Sequence, residues 1–213
     1  MKHAKRVVTA LSTAALAVTA ILLAPKNWFP PVFAILAVLC AIEFAQLLKR
    51  RLDPASGYGM LCKTCGLLVL ACSFAMLSVI AVCGGNLWLL YAIACVKLSD
   101  MGGFAFGVAW GKHKMCPSIS PNKSWEGMCG SIIGSCLISC AFLGFTHFAL
   151  PKALLIGVVA AFVGTAGDLV ESKFKRWVGV KDSGTFMPAG LGGMLDMFDS
   201  LLFAPGVIWL IAK

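Results

Sequence analysis

KALLIGVVAAFVGTAGDLVESKFKR, residues 152–176, decides what kind of molecule this chain can be. From Ala153 to Gly167 the only polar side chain is Thr165. A helix needs about 20 mostly apolar residues to cross a bilayer, and residues 152–171 supply them. The run closes on Asp168, Glu171, Lys175 and Arg176. A hydrocarbon interior accepts such charges only when they are paired, hydrated or bound to a cation. The stretch therefore reads as a membrane span with a chemically occupied end.

The rest of the chain agrees. Hydrophobic residues make up 60% and charged residues 13%, with a mean hydropathy of +0.90. That is more apolar surface than a soluble core of 213 residues could hide. The expected fold class is all-α, a polytopic integral membrane protein with about seven transmembrane helices: residues 7–24, 30–48, 64–84, 87–109, 128–150, 152–171 and a short last one at 196–212. The basic N-terminal start, Met1 to Arg6, resembles a signal peptide, yet further spans of similar length follow, and it reads as a helix that stays in place. No long linker, low-complexity tract or internal repeat stands out, so residues 1–213 read as a single membrane-embedded domain.

Alternation of these spans puts Lys49, Arg50, Arg51, Lys112, Lys114, Lys123, Lys173, Lys175, Arg176 and Lys181 on one side, with the basic N-terminus, and only Lys26, Lys152 and Lys213 on the other. The positive-inside rule assigns the first side to the cytoplasm. The net charge of +9 then needs no nucleic-acid partner; anionic lipid headgroups and nucleotide phosphates are the functional candidates. Most of the ten cysteines fall in or at the ends of apolar segments and read as small buried hydrophobes. Cys62 and Cys65 have half-site spacing for zinc, with no second pair beside them.

The nine acidic residues say more than the basic ones. Glu43 and Asp100 lie inside expected spans, and Asp168 and Glu171 near the cytoplasmic end of another. Asp196 and Asp199 are three apart, so on a helix they share a face and can converge on one cation; Asp168 and Glu171 repeat that spacing. Carboxylates from two helix ends make an oxygen site suited to Mg²⁺, with room left for water and phosphate. Capping of a helix start by Asp196 or Asp199 is the competing explanation. A second basic stretch, Lys112 to Gly127, has two X-Pro steps that fix an extended loop. There Ser120, Lys123 and Ser124 offer phosphate donors before a glycine-rich helix start. His113 and His147 stand isolated.

Taken together, Ser172-Lys-Phe-Lys-Arg176, Lys181-Asp182-Ser-Gly184, Pro188, Gly192-Gly193, Asp196 and Asp199 resemble the C-terminal motif of phosphatidate cytidylyltransferases, the CDP-diacylglycerol synthases. That motif reads Ser-x-x-Lys-Arg, four residues, Lys-Asp, then Pro-Gly-His-Gly-Gly, two residues, Asp-Arg-x-Asp. The resemblance extends to Gly167-Asp168, to Ser120 through Gly127, to Asp100 through Gly107, and to Glu43. It makes residues 87–213 the catalytic part and leaves 1–86 less family-like. Two departures stand out: Leu191 takes the place of the histidine in a loop one residue longer, and Met197 takes that of the arginine.

The resemblance implies transfer of CMP from CTP to phosphatidic acid, giving CDP-diacylglycerol and pyrophosphate with Mg²⁺, in a multi-pass protein of the cell's inner (cytoplasmic) membrane that forms a homodimer. It assigns metal binding to Asp168, Asp196 and Asp199. It gives phosphate binding to Lys175, Arg176 and Lys181, with Ser172, and counts Asp182 with these catalytic residues as the group that orients a lysine or binds metal. Ser120, Lys123 and Ser124 form the other wall, supported by Asp100 and Glu126, which could pair with Lys97 and Lys123. Three other readings compete: a CTP-dependent kinase of a lipid alcohol, an ion-coupled transporter relaying charge through Glu43, Asp100 and Asp168, and an inactive lipid-binding paralogue.

Overall fold

The computed structural model describes residues 15–53, 56–181, 183 and 193–213. Residues 15–23 are helical, the described part of α1. After a 3₁₀ turn at Lys26–Trp28 come α2 (Phe29–Lys49) and α3 (Gly57–Val79), the latter running into a π-helical turn at Ile80–Gly84. Next is α4 (Asn86–Trp110), then two short strands, β1 (Lys114–Cys116) and β2 (Ser120–Ser124). The remainder is α5 (Trp125–Ala141), one turn α6 (Leu143–Thr146), α7 (Leu150–Val178), α8 (Met194–Phe198) and α9 (Ala204–Ala212).

Four helical stretches among the described residues are long and apolar enough to cross a membrane: Lys26–Lys49, Gly57–Gly84, Asn86–Trp110 and Leu150–Val178. This is an integral membrane fold; the expected span at 7–24 lies partly outside the described residues, and among the described residues fewer full-length spans stand than the seven expected. The expected span at 128–150 ends early, because α5 stops at Ala141 and a left-handed His147 (φ 54°) turns the chain before Pro151 opens α7. The span at 196–212 is not one helix. Pro205 has no N–H to continue a helix from the preceding turn, so α8 and α9 are separate pieces joined by turns. The expected extended loop at 112–127 is an antiparallel hairpin that pairs Lys114 with Ser124 and Cys116 with Ser120, a small departure from an all-α fold.

Helix starts follow local chemistry. Ser56 caps α3 by accepting from the Gly59 N–H at 3.0 Å, which is why α3 begins before the residue 64 suggested by hydropathy. Ser124 caps α5 in the same way, accepting from the Gly127 N–H at 3.1 Å.

The antiparallel α4 and α5 make the most extensive helix pair. In lipid, helices gain little from hydrophobicity against one another and associate through close packing and polar contacts. Here Gly102 faces Gly130, and Gly134 faces the Leu98 carbonyl. A Cβ at Gly130 would stand 2.6 Å from Phe106 Cβ and closer still to the Gly102 carbonyl oxygen. Further along the seam, the Tyr91 hydroxyl and Ser139 Oγ are hydrogen-bonded at 3.0 Å with both residues buried.

The two ends of the bundle differ in charge. At one, Asn86 Nδ2 donates to the carbonyls of Leu22 and Ala24, and Lys152 Nζ donates to that of Ala212. At the other, where Arg51 lies 5.9 Å over the Trp177 ring, the ends of α2, α4 and α7 gather with the hairpin. Lys49, Arg50, Lys112, Lys114, Arg176 and Lys181 belong to this second end.

Gly130→Val should destabilise the fold by about 1–3 kcal/mol, because the α4–α5 seam has no room for the added side chain. Gly144→Ala is the control, since nothing lies within 4 Å of a Cβ there. Unfolding in mixed micelles should separate the two; equal stability would show that the seam can open.

Candidate active site

The hairpin, α4, α5, α7 and the α8 region line a cavity of about 520 Å³. Asp100, Asp168, Asp196 and Asp199 line it with two cations, Lys97 and Lys123. Ser120, Asn122, Ser124, Thr165 and Ser200 complete much of its polar wall. Four carboxylates against two ammonium groups leave an excess of negative charge, and such a site favours added cations.

Three carboxylates converge. Asp168 and Glu171, three apart on α7, and Asp199, just past α8, each offer an oxygen within 4.8 Å of the others. Gly167 allows this approach, since a Cβ there would stand 2.9 Å from the Asp199 carbonyl oxygen. Burial and then the neighbouring Asp168 carboxylate push Asp199 up to about 6. The Ser200 N–H and Oγ both reach Asp199, while the same hydroxyl lies 3.3 Å from Asp100. One hydroxyl proton can serve only one of those acids at a time.

Glu171 is buried at 6% exposure. It meets Lys175 Nζ as an ion pair at 2.7 Å. Three carboxylates whose oxygens converge to within 4.8 Å, one of them buried, are a donor set that fits a hard divalent cation such as Mg²⁺.

Asp196 is engaged differently. Its Oδ1 accepts from Lys175 Nζ at 2.8 Å, and its Oδ2 from the N–H groups of Gly193 at 2.8 Å and Ser183 at 3.1 Å. Burial alone would raise this carboxyl, yet Glu171, Lys175 and the two N–H donors outweigh it and hold Asp196 well below the usual range. The bond from Gly193 closes the start of α8, so the capping alternative describes much of what Asp196 does. The converging set is thus Asp168, Glu171 and Asp199, with Glu171 where the sequence reading had Asp196.

The other expected residues divide between cavity and surroundings. Lys123 Nζ pairs with Asp168 at 2.6 Å and donates to the Thr165 carbonyl at 3.2 Å, linking the hairpin to α7. Ser172 Oγ donates to Asp168 Oδ1 at 3.2 Å and so orients it. Ser120 and Ser124 line the cavity, although Ser124 Oγ is occupied as a cap. Asp100 lines it too and pairs with Lys97 at 3.6 Å, as expected. Glu126 does not pair with Lys123. It accepts from the His113 N–H and meets His113 Nδ1 at 2.6 Å, so His113 is not isolated. The His113 bond, followed by Glu126's own N–H, lowers that carboxyl to about 2. Arg176 is exposed and donates to the Val180 carbonyl, and Lys181 is exposed; neither lines the cavity. Asp182, Pro188, Gly190, Leu191 and Gly192 lie outside the described residues.

Asn122 and Ser200 were not picked out from the sequence, and Lys97 entered only as a partner for Asp100. Lys97 carried a signal all the same, as a lysine inside an expected span. Glu43, buried on α2, accepts from the Leu195 N–H at 2.9 Å and Ser183 Oγ at 3.4 Å and holds the start of α8 from a second direction.

Residues 55–213 match the Cytidylyltransferase family, and the chain belongs to it. It is similar to the phosphatidate cytidylyltransferases of Staphylococcus aureus strain COL and Staphylococcus haemolyticus, each 48% identical over 118 residues, covering 54% of this chain and 45% of the relative. The Staphylococcus epidermidis protein of the same name is 46% identical over 121 residues, 56% of this chain and 46% of its own. The matched stretch spans about half the length of these curated relatives.

Lys175→Met should cost about 3–5 kcal/mol, because it leaves buried Glu171 and partly buried Asp196 without their shared cation. Denaturant titration in micelles tests this; a stability equal to that of the unmodified chain would mean the two acids are compensated by other means.

Proposed function

We propose that this chain transfers CMP from CTP to phosphatidic acid, releasing pyrophosphate, at a site that faces the cytoplasm. The observation that carries the proposal is the convergence of Asp168, Glu171 and Asp199, with Asp168 and Asp199 lining a polar cavity of a membrane bundle and Glu171 buried beside them. Family membership and the names of the relatives support the substrates. The concentration of Lys and Arg at one end of the helices supports the orientation, and bacterial relatives support a cytoplasmic membrane location.

In the proposed reaction a phosphate oxygen of the lipid attacks the α-phosphorus of CTP. The bond from that phosphorus to the bridging oxygen breaks, and pyrophosphate leaves. The nucleophile is already anionic at neutral pH, so the site needs no strong general base; positioning and charge neutralisation are its main tasks. Asp168, Glu171 and Asp199 would hold Mg²⁺, which when bound offsets charge on the triphosphate and the leaving group. Lys123 and Ser172 fix Asp168 from two sides. Ser120 and Asn122 provide hydrogen-bonding groups on the hairpin wall. Lys175 acts through the two carboxylates it joins, while exposed Arg176 and Lys181 attract the nucleotide from solution.

With phosphatidate, Mg²⁺ and CTP labelled at the α-phosphate, the chain should move label into extractable lipid and release pyrophosphate. Asp168→Asn should lower kcat by at least ~100-fold, the scale on which loss of a charge-stabilising group acts. Label reaching lipid from the γ-phosphate instead would identify a kinase. No transfer by the folded chain would also overturn the reading.

A further inference from the structure

We propose that Lys97 is a substrate-binding residue that takes the phosphate of the lipid substrate at the membrane-facing part of the cavity. The inference rests on the cytidylyltransferase reading and deepens it.

Lys97 sits roughly midway along α4, within a stretch long and apolar enough to cross the bilayer. An ammonium group at that depth is costly, and one that persists marks a polar cavity or a ligand. Lys97 lines the cavity. Its side chain keeps 42% of its exposure, against 19% for Lys123, the cavity's other lysine. Lys123 is committed to Asp168 at 2.6 Å, whereas Lys97 approaches Asp100 only to 3.6 Å. Lys175, at 12% exposure, is enclosed by Glu171 and Asp196 and does not line the cavity. Of the cavity's two cations among the described residues, Lys97 is therefore the one placed to accept an incoming anion.

Its surroundings indicate which anion. On α4, Met101 and Phe104 are exposed at 65% and 75%, an outward apolar face that suits lipid. Phe104 lines the cavity with Lys97, as does exposed Met197. Lys97 Nζ also donates to the Met197 carbonyl at 3.3 Å, so an ammonium group stands beside one of the two uncharged residues between Asp196 and Asp199. The hairpin, with Ser120, Asn122 and Lys123, forms a more polar wall. A headgroup with its chains in the bilayer would meet the wall bearing Phe104, Met197 and Lys97, leaving the hairpin wall to the nucleotide. A lipid phosphate monoester beside Lys97 gains a charge-assisted hydrogen bond at the boundary it must cross.

The test uses the full chain in nanodiscs with Lys97→Met, which keeps much of the side chain's length and removes its charge, and Lys97→Arg, which restores a cation. Dioctanoyl phosphatidate binding is measured directly, and KM for phosphatidate and for CTP in the transfer assay. Lys97→Met should weaken phosphatidate binding and raise its KM about tenfold, the scale of one hydrogen bond to a charged group, with KM for CTP unchanged and Lys97→Arg recovering most of the loss. Unchanged phosphatidate binding in Lys97→Met, or a rise confined to KM for CTP, overturns the assignment. A chain that transfers no CMP yet binds phosphatidate through Lys97 would sink the proposed reaction and uphold this site.

Discussion

The ammonium group of Lys175, held between Glu171 at 2.7 Å and Asp196 at 2.8 Å, is the interaction on which the site's geometry depends. It joins α7 to α8 where both carry buried acid. A buried ion pair gives little net stability, because desolvation offsets most of the Coulombic gain. Its value lies in geometry: the two acids stay buried only while the lysine is between them. Glu43 adds a second anchor from α2 through the Leu195 N–H and Ser183 Oγ. With α8 tied to α7 and α2, the following residue, Asp199, is brought against Asp168.

The rest of the bundle supports that arrangement by being packed where the cavity is not. The α4–α5 seam closes through glycine and serine, with backbone against backbone. Its other end leaves Gly103, Gly127, Met128 and Ser131 along the cavity wall. Lys123 then links the hairpin to α7 across that cavity. Polar chemistry is thus enclosed by apolar helices, with a basic surface at one end and an apolar rim at Phe104 and Met197. The proposed reaction between a water-soluble nucleotide and a membrane lipid needs both approaches.

Much of this was legible in the sequence, for particular reasons. Long apolar runs gave α2, α3, α4 and α7 because one helix needs only its own residues to satisfy its backbone in lipid. The i, i+3 spacing of Asp168 and Glu171 announced a shared face, and the pairing of Lys97 with Asp100 followed from the same rule. What could not be read was which acid each lysine chooses. Lys123 reaches Asp168, 45 positions away, and leaves Glu126 to His113, a choice made by the hairpin. Asp196 and Asp199, three apart, do line one cavity, but Asp196 is taken up by Lys175 and the N–H groups of Gly193 and Ser183 while Asp199 stands against Asp168. Hydropathy likewise merged α8 and α9 into one span, although the chain turns between Phe198 and Ala204.

The most direct test of the account is whether Asp168, Glu171 and Asp199 form a divalent-cation site. Mn²⁺ titration of the chain in nanodiscs, followed by electron paramagnetic resonance, reports bound ion independently of turnover. The account predicts saturable binding that Mg²⁺ displaces and that Asp199→Asn weakens, with Glu126→Gln unaffected because Glu126 is bound to His113 outside the cavity. Absence of binding, or binding that Asp199→Asn leaves unchanged, would contradict it.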